Sequence, residues 1–333
     1  MAEDYILKVE NLHKTFTSKK ISVRAVTDVS FNIKKGETIG IVGESGCGKT
    51  TLGRCIVRGI EATEGKVIYK SLHGKEYDFL NIDKKTMKNI RKEIQMIFQD
   101  PYSSLNPRMT VLDIIKEPLR ANFPKMSKNE MEERVKDIAA KVGLNTSYLM
   151  RYPHAFSGGQ RQRVGIARAL VLKPQIIVCD EAVSALDVSI QAQVINLLRD
   201  LQKEMQLTYI FISHDLSVVE HISDKVGVMY LGKMVEFANT EEMFKRPMHP
   251  YTEALLSAVP VADPSIKIER IALDGEIPNP ANPPSGCYFH ERCRYCISKC
   301  RTDVPEQEEI SPGRFVACHR AKELDLRGFE YEE

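Results

Sequence analysis

An eight-residue stretch constrains this chain most. Gly43-Glu44-Ser45-Gly46-Cys47-Gly48-Lys49-Thr50 fits the pattern G-x-x-x-x-G-K-[ST]. It follows the apolar run Glu37-Thr38-Ile39-Gly40-Ile41-Val42 and precedes a helical pattern, Thr51-Leu52-Gly53-Arg54-Cys55-Ile56-Val57. A strand, a glycine-rich turn and a helix in that order form a cradle for polyphosphate. The glycines let backbone N–H groups turn inward, and the helix N-terminus adds partial positive charge. Lys49 can reach the β- and γ-phosphates, and the Thr50 hydroxyl can ligate Mg²⁺.

Further strands and helices alternate along the chain. Residues 5–10 and 29–33 alternate apolar and polar, the period of half-buried strands. Ile94 to Phe98, Ile176 to Cys179 and Tyr209 to Ile212 read as short buried strands. Residues 110–143 have helical character, with Pro118 and Pro124 expected to break them into pieces. Gln160–Leu172 and 188–205 are helix patterns. The alternation predicts an α/β chain with a mostly parallel sheet covered by helices.

Two more sites carry chemistry. Ile176-Ile177-Val178-Cys179-Asp180-Glu181 is an apolar strand ending in two acids. Asp180 is placed to hold Mg²⁺, directly or through water, and Glu181 to polarise an attacking water as general base. Phe156-Ser157-Gly158-Gly159-Gln160 leads into a helix, so the Ser157 hydroxyl and the N–H groups of Gly158 and Gly159 form a second phosphate-binding device. One nucleotide does not need two cradles from one chain. Two chains facing head-to-tail would use both.

Composition excludes several classes. The 333 residues carry 47 basic and 45 acidic side chains, a net charge of +2 that gives no basic field for nucleic acid. No apolar run approaches the roughly 20 residues of a membrane span, so a membrane role would require partners to supply the spans. The acidic start Met1-Ala2-Glu3-Asp4-Tyr5 lacks an apolar core, so no signal peptide is expected.

In this order, the Gly43–Thr50 loop, Gln99, Ser157-Gly158-Gly159-Gln160, Asp180-Glu181, Ser184-Ala185-Leu186-Asp187 and His214 resemble the ABC-transporter ATPase family over roughly residues 5–240. The resemblance implies a P-loop NTPase core with a mixed sheet and an inserted helical subdomain at about 100–170. It implies that Gly43 to Thr51 bind ATP and that Thr50, Gln99 and Asp180 serve Mg²⁺. Gln99 would also sense the γ-phosphate. Glu181 and His214 would be catalytic, Asp187 would belong to a loop communicating across a dimer, and Phe16 would stack on adenine. Phe156 replaces the family's usual leucine and Ala182 its usual proline. Neither change removes a phosphate or Mg²⁺ ligand.

After about residue 245 prolines accumulate (Pro247, Pro250, Pro260, Pro264, Pro278, Pro280, Pro283, Pro284) and lead into Cys287, Cys293, Cys296, Cys300 and Cys318. A boundary near 245–265 is expected, with an ATPase domain over 1–250 and a small irregular, metal-binding C-terminal extension over 251–333. Four thiolates can hold Zn²⁺ or an iron–sulfur cluster and organise a segment poor in apolar residues. A packed, metal-free cluster is the third reading. Asn106-Pro107-Arg108, His249-Pro250-Tyr251, Leu255-Leu256-Ser257-Ala258-Val259-Pro260 and the tail itself resemble the dipeptide/oligopeptide importer branch. That resemblance implies a [4Fe-4S] cluster on Cys287, Cys293, Cys300 and Cys318. Cys296 is an extra thiol able to substitute for a neighbour, and Arg294 stands where a proline is usual.

The implied assembly is an importer motor on the cytoplasmic face of the cell membrane. Its expected partners are a second ATPase subunit (identical or similar), two transmembrane permease subunits and an extracytoplasmic peptide-binding protein, without nucleic acid. The competing class is a soluble ABC ATPase acting on ribosomes or DNA. Such chains usually carry two cassettes or a long coiled-coil insertion, and neither is present.

Overall fold

The computed structural model describes residues 5–18, 21–71, 73–100, 102, 104–259, 270–273 and 275–329. The N-terminal residues read for a signal peptide, apart from Tyr5, and Pro260 and Pro264 of the expected boundary lie outside them. The chain separates into two compact units. One comprises Met1–Leu7, Ile33–Glu37 and Tyr69–Ile212, the other Lys8–Asn32, Thr38–Ile68 and Ser213–Glu333.

The first unit is built on three parallel strands, Ile94–Ile97, Ile176–Asp180 and Thr208–Ile212, in register Ile97 to Cys179 and Cys179 to Phe211. The second and third are buried at every position, which explains the apolar runs Ile176–Cys179 and Tyr209–Ile212 within them. Helices Val111–Asn122, Lys128–Lys141 and Gly158–Leu170 pack on one another. Each begins at a hydroxyl cap: Thr110 accepts from the Asp113 N–H, Ser127 from Glu130 and Ser157 from Gln160.

Pro118 does not break its helix, contrary to the sequence expectation; it lies inside Val111–Asn122. The lost hydrogen bond is outweighed by a buried apolar face of Val111, Leu112, Ile114, Ile115 and Leu119. Pro124 does fall in the break before Lys128–Lys141.

The second unit contains a mixed sheet. Thr38–Val42 runs parallel to Lys225–Tyr230, which pairs antiparallel with Lys233–Asn239. The C-terminal segment joins this sheet. Arg314–Val316 pairs with Lys233–Asn239, placing Val316 opposite Glu236, and Glu308–Ser311 adds the next strand. Pro250 opens a regular helix, Pro250–Ser257, where its missing N–H costs nothing. Strands Ile21–Ile33, Leu7–Ser18 and Glu64–Lys70 are neighbours in a separate sheet.

Buried charge ties the tail into its unit. Glu236 is fully buried and accepts from Arg314 Nη2 at 2.9 Å and from the N–H groups of Met248 and His249 at 2.9 and 3.0 Å. Desolvation raises its carboxyl pKa despite these donors. No helix among the described residues is long and apolar enough to cross a membrane.

Candidate functional site

The phosphate loop leaves the buried strand Thr38–Val42 and enters helix Lys49–Ile56. Gly43, Gly46 and Gly48 take φ of 148°, 79° and 106°, a region L side chains rarely enter. At Gly48 an added Cβ would stand 2.1 Å from the Ala25 carbonyl oxygen, so the backbone approach itself demands glycine. Lys49 is buried, and its Nζ donates to the carbonyls of Gly43 at 2.7 Å and Glu44 at 3.0 Å. The ammonium is therefore folded back along the loop whose amides it complements. The Cys47 sulfur lies 3.9 Å from it, and burial raises that thiol's pKa. Thr50 and Thr51 occupy the helix's first turn.

His214 belongs to the same unit. The Ser213 N–H donates to Ile41 O at 3.1 Å, which brings the start of the His214 segment beside the strand that launches the loop. Phe16 is exposed on strand Leu7–Ser18, with Lys14 Nζ 4.9 Å from its ring centroid.

In the other unit, Asp180 ends its strand almost fully buried. Glu181 follows in a left-handed conformation, φ 46°, with its N–H donated to Ile212 O at 2.9 Å. That turn aims its side chain at Gln99, whose Nε2 donates to Glu181 Oε2 at 2.7 Å. Two residues 82 apart in sequence are thus brought together. Oxygen donors such as Asp180 carboxylate and Thr50 hydroxyl suit Mg²⁺, a hard cation.

Ser157 caps helix Gly158–Leu170 in a reciprocal box. Its N–H donates to Gln160 Oε1 at 3.0 Å and its Oγ accepts from the Gln160 N–H at 3.3 Å. Ser157 and Gln160 are exposed, and Gly158 and Gly159 partly so. An added Cβ on Gly159 would stand 2.5 Å from Ile190 Cγ2. Asp187 is exposed at the start of helix Val188–Met205. The two departures, Phe156 and Ala182, are buried.

Cys287, Cys293, Cys300 and Cys318 line one small cavity, together with His249, Phe289 and His290. Cys296 is not among the lining residues; its sulfur lies 3.6 Å from Ile297 O. Desolvation pushes the Cys287 thiol up to about 11 and the Cys293 thiol to about 12. Among the described residues no group of three or more His, Cys, Asp or Glu stands where it could hold a single metal ion.

Sequence reasoning missed the contacts made by Glu44. Its N–H donates to the buried Tyr251 hydroxyl at 2.9 Å, and its carboxylate pairs with Arg292, 248 residues away. No periodicity or spacing signals a pair so distant.

A family model described as ABC transporter matches residues 26–184, and one described as the oligopeptide/dipeptide transporter C-terminal region matches 235–300. The oligopeptide transport ATP-binding protein AppF of Bacillus subtilis is 56% identical over 91% of this chain and 92% of its own length. The dipeptide transport ATP-binding protein DppF of Haemophilus influenzae is 51% identical over 92% of this chain and 91% of its own. Two solved structures share the fold. The ATP-binding cassette MJ0796 bound to ADP and Pi superposes with a TM-score of 0.62 at 28% identity, over 70% of this chain and 98% of that one. The structure of cbiO1 from Clostridium perfringens, part of the ABC transporter complex cbiONQ, gives 0.63 at 30% identity, over 73% of this chain and 91% of that one.

Proposed function

Because the chain belongs to the ABC-transporter ATP-binding subunits of the oligopeptide/dipeptide type, we propose that it hydrolyses ATP to drive peptide uptake through partner membrane subunits. The amides of Gly43 to Thr51 and the Lys49 ammonium bind the phosphates. Thr50, Gln99 and Asp180 would hold Mg²⁺, which supplies charge neutralisation at the β- and γ-phosphates when bound. Glu181 takes the proton of the attacking water, Gln99 orients its carboxylate, and His214 contacts the γ-phosphate. Phe16 stacks on adenine. Ser157, Gly158, Gly159 and Gln160 close the nucleotide of a neighbouring ATPase, and Asp187 takes part in signalling across that dimer.

The observation that carries this reading is the 2.7 Å hydrogen bond from Gln99 to Glu181. It fixes a carboxylate oxygen at the end of a buried strand, as a general base requires. Glu181→Gln is expected to bind ATP with little change and to lose turnover by about 10²-fold or more. Full ATPase activity in a clean Glu181→Gln preparation would refute Glu181 as base.

The proposed organisation is a nucleotide-binding domain over 1–250, with a helical subdomain at about 100–170, and an extension over 251–333. The proposed partners are a second ATPase, identical or similar, two permease subunits and an extracytoplasmic peptide-binding protein, with this chain peripheral on the cytoplasmic face. Cys287, Cys293, Cys300 and Cys318 would hold a [4Fe-4S] cluster, which supplies structural cross-linking of the tail. The observation behind this reading is that the four thiols line one cavity.

A further inference from the structure

Glu44 is held at three points by its own unit. Arg292 Nη1 donates to Glu44 Oε2 at 2.8 Å and Arg292 Nη2 to Oε1 at 3.0 Å, a two-pronged match of guanidinium to carboxylate. The Glu44 N–H donates to the Tyr251 hydroxyl at 2.9 Å, and its carbonyl accepts from Lys49 Nζ at 3.0 Å. The Arg292 side chain is 6% exposed and that of Glu44 24%, so solvent screens the pair only in part. Tyr230, Tyr251 and Phe289 pack ring against ring at 4.8, 5.2 and 5.3 Å behind these contacts. Arg292 sits in the turn His290–Arg292, directly before Cys293, one of the thiols that line the cavity.

Glu44 lies between Gly43 and Gly46, both with positive φ. A glycine-rich turn has many conformations within reach, so an external tether decides which is populated. Helix Lys49–Ile56 reaches the loop through Lys49 Nζ on the Gly43 and Glu44 carbonyls, but its Gly48 cap carries no side chain to hold the Glu44 carboxylate.

We propose that Arg292 is a positioning residue for ATP binding. Its grip on Glu44 holds the loop in phosphate-ready form, and through it the cysteine-rich segment sets the chain's affinity for ATP. This rests on the reading of Gly43–Thr50 as the ATP loop. Without Arg292 the loop must be ordered during binding, and an unneutralised Glu44 carboxylate repels the incoming triphosphate. Both effects weaken ground-state binding and leave the hydrolytic step alone, so KM rises while kcat holds.

The test uses the full-length chain, with a fluorescent ATP analogue for Kd and steady-state hydrolysis in the complex with its membrane partners. Arg292→Gln should raise Kd and KM about tenfold, the loss of one charge-assisted pair, with kcat within about twofold. Arg292→Lys should recover part of the affinity, because it restores charge without the fork. Adding Glu44→Gln to Arg292→Gln should bring no further rise. Unchanged Kd and KM in Arg292→Gln, or additive rises from the two substitutions, would overturn the proposal. If Arg292→Gln does not fold, Glu44→Gln tests the tether from the loop side without the repulsion, and an unchanged Kd there overturns the tether. Lys49→Ala separates the two readings. Normal ATP binding by Lys49→Ala removes the premise, whereas lost binding there beside an unaffected Arg292→Gln overturns the tether alone.

Discussion

At the scale of single residues, the phosphate loop is defined by what glycine permits. Gly46 and Gly48 both have positive φ, but they differ in surroundings. Nothing lies within 4 Å of a Cβ added at Gly46, whereas at Gly48 the Ala25 carbonyl oxygen would be 2.1 Å away. Gly46→Ala should therefore cost about 1–2 kcal/mol of backbone strain and leave ATP binding measurable. Gly48→Ala adds a backbone clash to similar strain, and should lower nucleotide affinity by more than about tenfold. Titration with a fluorescent ATP analogue, beside thermal melting without nucleotide, checks the order of the two variants. Equal affinities would show that the close approach at Gly48 does not shape the loop. The motif was legible in the sequence because its residue types are dictated by backbone geometry. The Glu44–Arg292 pair was not, because a contact across 248 residues leaves no local pattern.

At the scale of elements, legibility followed the strength of the local signal. Ile176–Asp180 and Thr208–Ile212 are buried at every position, so their apolar runs announce them. Pro118 misled because a proline reads as a breaker, while the apolar face of Val111–Asn122 overrides it through packing that no local rule contains. Arg314–Val316 is three residues long, too short for alternation to register, and is held by pairing with Lys233–Asn239. Ser157 belongs at this scale, because its hydroxyl caps helix Gly158–Leu170 and the same tip is proposed to meet a neighbour's nucleotide. Ser157→Ala should cost about 1 kcal/mol of stability through the lost cap. If the tip also serves catalysis, ATP hydrolysis by the assembled transporter should fall well beyond that. Ser157→Asn, which keeps the cap, discriminates: restored melting temperature with hydrolysis still depressed supports the double role. Restored hydrolysis would reduce Ser157 to a cap.

At the scale of the whole molecule, the C-terminal segment is more than an appended patch. It contributes strands to the sheet of its unit, buries Arg314 against Glu236 and brings four of its five cysteines around one cavity. The sequence suggested the cysteines and their number, but not the strands or the buried ion pair, which depend on partners far along the chain. Anaerobic purification should yield iron and acid-labile sulfide in equal amounts, about four of each per chain. Cys293→Ser should lose them and Cys296→Ser should keep them. Stoichiometric zinc without sulfide would contradict the cluster.

In the proposed motor, ATP is held by the lysine-bearing loop of one ATPase and closed by the serine–glycine helix tip of another. The most direct measurement is photolabelling of the ATP-loaded Glu181→Gln transporter with an analogue carrying its reactive group on the γ-phosphate, followed by peptide mapping. Labels are predicted both near Lys49 and within residues 157–160, the latter disappearing when the facing ATPase's phosphate loop is disabled. Labelling near Lys49 with none at 157–160 would show that the serine–glycine tip does not close the nucleotide.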